Sequence, residues 1–561
     1  MTPSPSSTAY LAAGAVLLFL LLYLAPLGQR PLIDPDETRY GEIPREMLAS
    51  GDWVVPRLNG LRYFEKPPAG YWLSAASLAV FGENPFAVRL PSALATGLTA
   101  LLLFFFIRHV TGNGRTALLA AMIQLSFLAV YVAGTFTVLD NLLVLWLTAG
   151  LIAAWFTVTE PRPRPALGWG LAAGAAFGLA FLTKGFLAFA VPTLVLVAWL
   201  LWEGRWRMLF SRGWPVLLAV VVIALPWAIM IHLREGDFWN YFFWEEHIRR
   251  FFSDTPQHGK PVYYFAMLLP ALAFPWFALL PASLSGLRLP VGGDATKRSA
   301  LRFLWLWLGL PFLFFSASSG KLATYILPCF PPLAGLTAIG LTRYFAAGRR
   351  RIFDFGVLFN TLLLTGVLAA LLITQGFDVG FRLYGEGEGG TAALLCGGLV
   401  LALAASLFAF FDWWPPRKCV GVVLSLAPLL LVSHLVLPRR VAETKAPGLL
   451  LERHAGRVGP DTLLVSDGSR VRAAAWYFKR DDIYMLNRRE LAYGLSYPDA
   501  AGRLLTAEGF TELLRRNAGR RPVVLVCKLP CVLDLDGQLP PGTERDRYGV
   551  FGVWRIPGTD E

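Results

Sequence analysis

LDNLLVLWLTAGLIAAWFTVTEPRPRPALGWGLAAGAAFGLAFLTKGFLAFAVPTLVLVAWLLW, residues 139–202, decides the fold class. Three apolar runs, 139–158, 167–183 and 186–202, are separated by Glu160-Pro161-Arg162-Pro163-Arg164 and by Lys184-Gly185. A helix needs about twenty apolar residues to cross a hydrocarbon layer roughly 30 Å thick. A chain in lipid must satisfy its backbone N–H and C=O groups internally, so the runs predict transmembrane helices. Two ionisable residues interrupt the pattern: Asp140 near the start of the first run and Lys184 after the second.

Working outward, further spans are predicted at 10–27, 86–107, 116–135, 214–231, 263–283, 300–317, 324–341, 352–373, 391–411 and 419–437, about thirteen in all. The first lacks a basic n-region and a small-residue cleavage site, so it reads as a retained helix. Ala69–Phe81 is short for a span and is expected to lie along the interface. The 561 residues are 55% hydrophobic and 16% charged, where a soluble chain carries about 25% charged residues. The sequence predicts an α-helical polytopic membrane protein. Residues 1–437 form its transmembrane part, with outer loops 29–85 and 232–262. Residues 438–561 have soluble composition, and their strand-like runs (462–466, 522–527, 550–556) and helical pattern (510–518) predict a small α/β domain.

The formal charge of +13 suggests nucleic acid, but its distribution excludes that reading. Arg and Lys cluster in alternate short loops: Arg108/Arg115, Arg162/Arg164, Arg205/Arg207/Arg212, Arg288/Lys297/Arg298, Arg343/Arg349/Arg350/Arg351 and Arg417/Lys418. By the positive-inside rule these six loops are cytoplasmic. One feature opposes it: residues 1–28 hold no Lys or Arg, while Arg30, Arg39 and Arg45 follow the first helix. Six loops outweigh one, which places 29–85, 232–262, 318–323 and the tail outside. Of the five cysteines, Cys329, Cys396 and Cys419 lie in or beside apolar runs. Cys527 and Cys531 are close enough to pair if the tail is in an oxidising compartment.

The ionisable residues that remain collect on the outer face. Asp36-Glu37-Thr38-Arg39-Tyr40 and Tyr63-Phe64-Glu65-Lys66-Pro67 lie in the first outer loop. Asp140, Lys184, His247, Arg249, Arg250, Lys321 and Tyr325 lie at or near the outer ends of helices. Each has a bland reading: Asp140 as a helix cap, Lys184 as a snorkelling side chain, Glu245 to Arg250 as surface pairs. Together they suit a polar cavity facing a polyprenyl-phosphate sugar donor, with cations such as Lys66 and Arg250 neutralising the phosphate leaving group. Asp36 and Asp140 are the carboxylates available beside the sugar, as base or as electrostatic support. No P-loop or dinucleotide turn is present.

At these residues the chain resembles the bacterial aminoarabinose transferases, lipid A-modifying enzymes of the glycosyltransferase C superfamily whose branch includes protein O-mannosyltransferases. The resemblance rests on Asp36 to Tyr40, Ile43-Pro44-Arg45-Glu46-Met47, Gly51 to Arg57, Leu61 to Pro67, Ala69 to Trp72, Phe86 to Arg89, Asp140, Lys184-Gly185, and Gly320-Lys321-Leu322 with Tyr325 to Pro328. It implies undecaprenyl phosphate-aminoarabinose as donor, a lipid A phosphate as acceptor and a multi-pass, monomeric protein of the bacterial inner membrane with its site and tail periplasmic. It implies Asp36 and Asp140 as the key acids, with Glu37 beside them. Lys66 would contact the phosphate, with Arg39, Tyr40, Tyr63, Arg249, Arg250, Lys184, Lys321 and Tyr325 around the donor. No cofactor is required, although the family admits a divalent metal, zinc, near Glu65 and His247. A lipid A phosphate is already ionised, so Asp36 would position the acceptor or support a cationic sugar; a hydroxyl acceptor would need it as base. The alternatives are a related hexosyltransferase acting on protein or glycan, and a transporter of lipid-linked sugar. A transporter would show internal repeats and broken helices, and the sequence shows neither.

Overall fold

The computed structural model describes residues 5–249, 259–290, 294–377, 380–529 and 539–558. They form two compact units. One comprises Met1–Leu27, Leu90–Phe381 and Ala392–His434; the other comprises Gly28–Arg89, Arg382–Thr391 and Leu435–Glu561. A cut made by composition at 437/438 therefore misses one grouping, because the polar 28–89 stretch folds with the tail.

The first unit is helical. By length and composition, nine helices among the described residues are long and apolar enough to cross a membrane, or up to eleven if each bent pair is one span. The first and sixth predicted spans are shorter apolar helices, Ala12–Leu24 and Leu187–Trp202. Small residues set the close approaches: a Cβ on Gly174 would fall 2.1 Å from the Val216 carbonyl oxygen, so only glycine lets Pro163–Lys184 meet Trp214–Arg234 there.

Two helices are broken, contrary to the sequence reading. Gly114–Ser126 and Leu128–Gly134 bend by 65°, and Tyr264–Leu272 and Phe277–Leu287 by 94°. The breaks satisfy each other. The Leu128 amide donates to the Phe274 carbonyl at 3.0 Å, Trp276 Nε1 donates to Ser126 Oγ at 2.8 Å, and Asn360 Nδ2 caps the Pro275 carbonyl at 2.7 Å. Backbone groups freed by a break in a membrane helix need such partners. Lys418, read from sequence as a loop charge, is buried: its ammonium donates to Asp354 at 2.7 Å and to the carbonyls of Ala409 and Phe410.

The second unit contains the Asp36–Ser50 helix, a hairpin of β1 (Arg57–Leu58) and β2 (Leu61–Arg62), the Ala69–Phe81 helix and a five-stranded sheet. The sheet strands are β3 (Leu463–Ser466), β4 (Tyr484–Met485), β5 (Val523–Lys528), β6 (Glu544–Tyr548) and β7 (Phe551–Ile556), ordered β4-β3-β5-β7-β6. β3 is parallel to β4 and β5, and β7 is antiparallel to β5 and β6. The strands and helix expected in the tail are present; β4 is too short to signal itself, and β6 reads Glu-Arg-Asp-Arg-Tyr, a charged edge. One core joins Ile43, Met47, Leu61 and Tyr71 to Leu450, Val471, Phe478 and Val524. The Cys527–Cys531 pairing involves Cys531, which lies outside the described residues.

Candidate active site

The sequence places Asp36 and Glu37 in the first turn of the Asp36–Ser50 helix, where the free N–H groups and helix dipole favour anions. Their surroundings differ. The Asp36 side chain is 42% exposed and accepts Arg39 Nη1 at 3.3 Å. Glu37 is fully buried. It takes Arg89 Nε at 2.7 Å and Nη2 at 2.8 Å, two contacts from Arg30, and the Ile33 amide at 2.8 Å. Burial alone would raise its pKa, but Arg89 and Arg30 overcome that and hold it at about 2. Glu37 is thus a structural anion without a face for substrate, which corrects its place among the catalytic candidates.

Arg39 is shared. Its other fork donates to Glu490 at 2.8 Å; burial by itself would lower its pKa, but Tyr63, Glu490 and Glu65 outweigh that and hold it above the usual arginine value. Asp34, two residues before Asp36, is buried and accepts from Arg470, from Arg472 and from Thr38 Oγ1 at 2.7 Å. Asp34, Arg470, Arg472 and Glu490 were not foreseen. Glu490 lies 451 positions from Arg39, and no spacing rule spans that distance.

Lys66 follows the β1–β2 hairpin, whose Asn59-Gly60 turn has φ values of 57° and 71°, as a two-residue hairpin turn requires. A Cβ on Gly60 would also fall 2.8 Å from the Asp481 carbonyl. The Glu46 carboxylate accepts both turn amides, and the Asn59 amide group exchanges two hydrogen bonds with the Ile483 backbone. Lys66 Nζ is half-buried and donates to the Glu65 carbonyl at 2.7 Å. Tyr63 is buried with a hydroxyl that has no hydrogen-bond partner among the described residues, while Tyr40 is half-buried with its ring 6.2 Å from Tyr71.

In the helical unit, Asp140 does not cap its helix. Its carboxylate instead accepts Lys184 Nζ at 2.6 Å, and that ammonium lies 5.1 Å from the Tyr325 ring centroid. Lys184 is therefore an ion-pair partner; it does not snorkel. Lys321 is buried and donates to the carbonyls of Lys260 and Ser318, which ties down its own turn. His247 and Arg249 belong to the Asn240–Arg249 π-helix with side chains outside the described residues, and Arg250 is also outside them. Zinc needs three or four converging ligands. Among the described residues no three His, Cys, Asp or Glu side chains converge, and the side chain of His247, one of the two expected ligands, lies outside them.

Residues 8–242 match the dolichyl-phosphate-mannose-protein mannosyltransferase family, and residues 442–554 match the C-terminal domain of the arabinosyl transferase ArnT. The undecaprenyl phosphate-α-4-amino-4-deoxy-L-arabinose arabinosyl transferase of Edwardsiella ictaluri is 41% identical over 534 residues, covering 93% of this chain and 94% of that one. The enzyme of the same name from Aeromonas hydrophila is 40% identical, covering 94% of each. The crystal structure of ArnT from Cupriavidus metallidurans bound to undecaprenyl phosphate superimposes with a TM-score of 0.81 at 25% identity, covering 99% of this chain and 98% of that one. Fold and site together define a membrane-embedded glycosyltransferase using a polyprenyl-phosphate sugar donor. Because the likeness to the first two relatives spans nearly the whole length of both, the chain belongs to the undecaprenyl phosphate-α-4-amino-4-deoxy-L-arabinose arabinosyl transferase family.

Proposed function

We propose that this protein moves 4-amino-4-deoxy-L-arabinose from undecaprenyl phosphate to a phosphate of lipid A at the periplasmic face of the bacterial inner membrane. The observation that carries the reading is the end-to-end match to transferases of that name, joined to a half-buried carboxylate, Asp36, next to a Glu37 that Arg89 and Arg30 hold in the interior. A lipid A phosphate oxygen attacks the anomeric carbon, and the carbon–oxygen bond to the carrier breaks with its electron pair leaving on undecaprenyl phosphate. The attacking oxygen is already anionic, so no base is needed. Asp36 supports the positive charge that develops on the sugar; Asp140, the second key acid, is held by Lys184 within the helical unit. Lys66, with Arg250, neutralises the departing phosphate. The product carries an ammonium beside its phosphate, which weakens the membrane's attraction for cationic peptides such as polymyxin.

The test is mass spectrometry of lipid A after reconstitution with the donor. A gain of aminoarabinose supports the reading; a glycosylated protein with unmodified lipid A would favour the mannosyltransferase-like alternative. Sidedness is tested separately: a cysteine at Arg350 should resist an impermeant thiol reagent on spheroplasts, and strong labelling would invert the orientation.

A further inference from the structure

Two of the six basic loops, far apart in sequence, meet in the helical unit. The Lys418–Asp354 ion pair, at 2.7 Å, joins the start of the Pro415–Leu424 helix to the first turn of the Arg351–Gly376 helix. Beside that pair the Arg350 guanidinium stands 5.8 Å from the Trp413 ring centroid, and the Arg417 guanidinium 5.3 Å from that of Trp414. Arg349 and Arg351 flank them, exposed. Asp354 takes Lys418, and Asp412 accepts the Trp414 amide at 2.6 Å. Five cations thus stand against two carboxylates, and none of the four arginines has an ion pair among the described residues. Two spans lead away from this rim side by side, their Thr361 and Ser406 hydroxyls 2.7 Å apart. Both leave large apolar side chains uncovered near the rim: Phe355 and Phe359 on one, Phe408 and Phe411 on the other.

A cationic rim with tryptophans above bare apolar helix faces has the layout of a phospholipid turned inside out. Tryptophan settles at headgroup depth, arginine answers phosphate, and the faces below meet hydrocarbon. The excess of positive charge favours a headgroup with net negative charge, because a zwitterionic lipid answers its own phosphate. One other rim pairs arginine with tryptophan, Arg207 with Trp206 and Arg302 with Trp202, but there Glu203 already takes Arg302 at 3.1 Å.

We propose that the rim formed by Arg350, Arg417, Trp413 and Trp414 is a binding site for an anionic phospholipid of the bilayer. Arg350 and Arg417 hold the headgroup phosphate, the two indoles lie against the glycerol region, and the acyl chains run down the faces that carry Phe355 and Phe408. The site stands apart from the transfer chemistry and does not depend on the function proposed above.

The experiment titrates the full-length protein in detergent with phosphatidylglycerol and, separately, with phosphatidylcholine, and reads bound lipid by native mass spectrometry. The wild-type protein should take its first phosphatidylglycerol at least about tenfold more tightly than phosphatidylcholine. Arg350→Gln and Arg417→Gln should each weaken that lipid by about fivefold, and the two together by about twentyfold or more. Arg162→Gln, in another basic loop and paired with Glu160, should leave it unchanged. Equal affinity for the two lipids overturns the inference. So does a double variant that binds phosphatidylglycerol like wild type, or an Arg162→Gln loss as large as that of Arg350→Gln. Displacement of the lipid by millimolar inorganic phosphate would make this a site for a free anion, and the lipid reading falls. If the double variant does not purify as folded protein, Trp413→Ala decides, because that side chain is 80% exposed and its loss spares the core. It should weaken phosphatidylglycerol about threefold, and wild-type affinity there overturns the inference.

Discussion

Lys184 Nζ lies 2.6 Å from Asp140 Oδ1, with the two side chains only 12% and 13% exposed. An ionisable side chain at membrane depth is costly alone, and pairing offsets part of that cost. Lys184→Ala should therefore destabilise the protein, by about 3 kcal/mol, because it leaves Asp140 buried without its cation. Removing both should restore much of the melting temperature in detergent without restoring transfer. Asp140→Ala by itself should abolish transfer while the protein stays in the membrane. Near-normal transfer would remove Asp140 from the site.

Asp36 separates charge from hydrogen bonding. Asp36→Ala should cut transfer by on the order of a hundredfold or more, the scale seen when one preorganised electrostatic group is lost. Asp36→Asn keeps a hydrogen-bonding oxygen but no charge and should be nearly as poor. If Asp36→Asn keeps a substantial fraction of wild-type turnover, the residue works by hydrogen bonding, and charge support for the sugar is ruled out.

Glu37 governs acid stability. Its folded pKa of about 2 lies below the ordinary carboxylate value of 4.5, so the group binds a proton less readily in the folded state. The stabilisation is fully present above the unfolded value and is lost as pH falls from about 4.5 towards 2. Glu37→Gln should lower the melting temperature at neutral pH, because it strands the fully buried Arg89 guanidinium. It should also flatten the acid limb of stability over that window. A variant whose melting curves track wild type at every pH would show the Glu37–Arg89 pair to be dispensable.

Lys66 should serve donor binding and leaving-group departure with one charge. Lys66→Ala should weaken undecaprenyl phosphate binding and slow turnover together, each by roughly tenfold or more. Lys66→Arg should keep part of both, since the charge remains while its geometry changes. Carrier affinity measured by calorimetry and turnover measured by transfer are the two readouts. If both are unchanged in Lys66→Ala, the phosphate contact lies elsewhere.

The sequence by itself determined the helices, because an apolar run in lipid has no other way to satisfy its backbone. It determined the tail strands for a similar local reason, the apolar runs at 462–466, 522–527 and 550–556, which match strands Leu463–Ser466, Val523–Lys528 and Phe551–Ile556. The segments holding Asp36 and Lys66 were legible as motifs, whereas the Asn59-Gly60 turn that introduces the second emerged only from the structure. Only the tertiary structure decided which charges pair. Lys184 finds Asp140 across 44 positions, Arg89 finds Glu37 across 52, and Arg39 finds Glu490 across 451. These choices separate neighbours that look alike in sequence: Glu37 becomes a buried brace while the Asp36 side chain keeps 42% of its surface exposed. The physical reason is that a charge's role depends on its desolvation and its partners, and both are set by the elements packed around it, far along the chain.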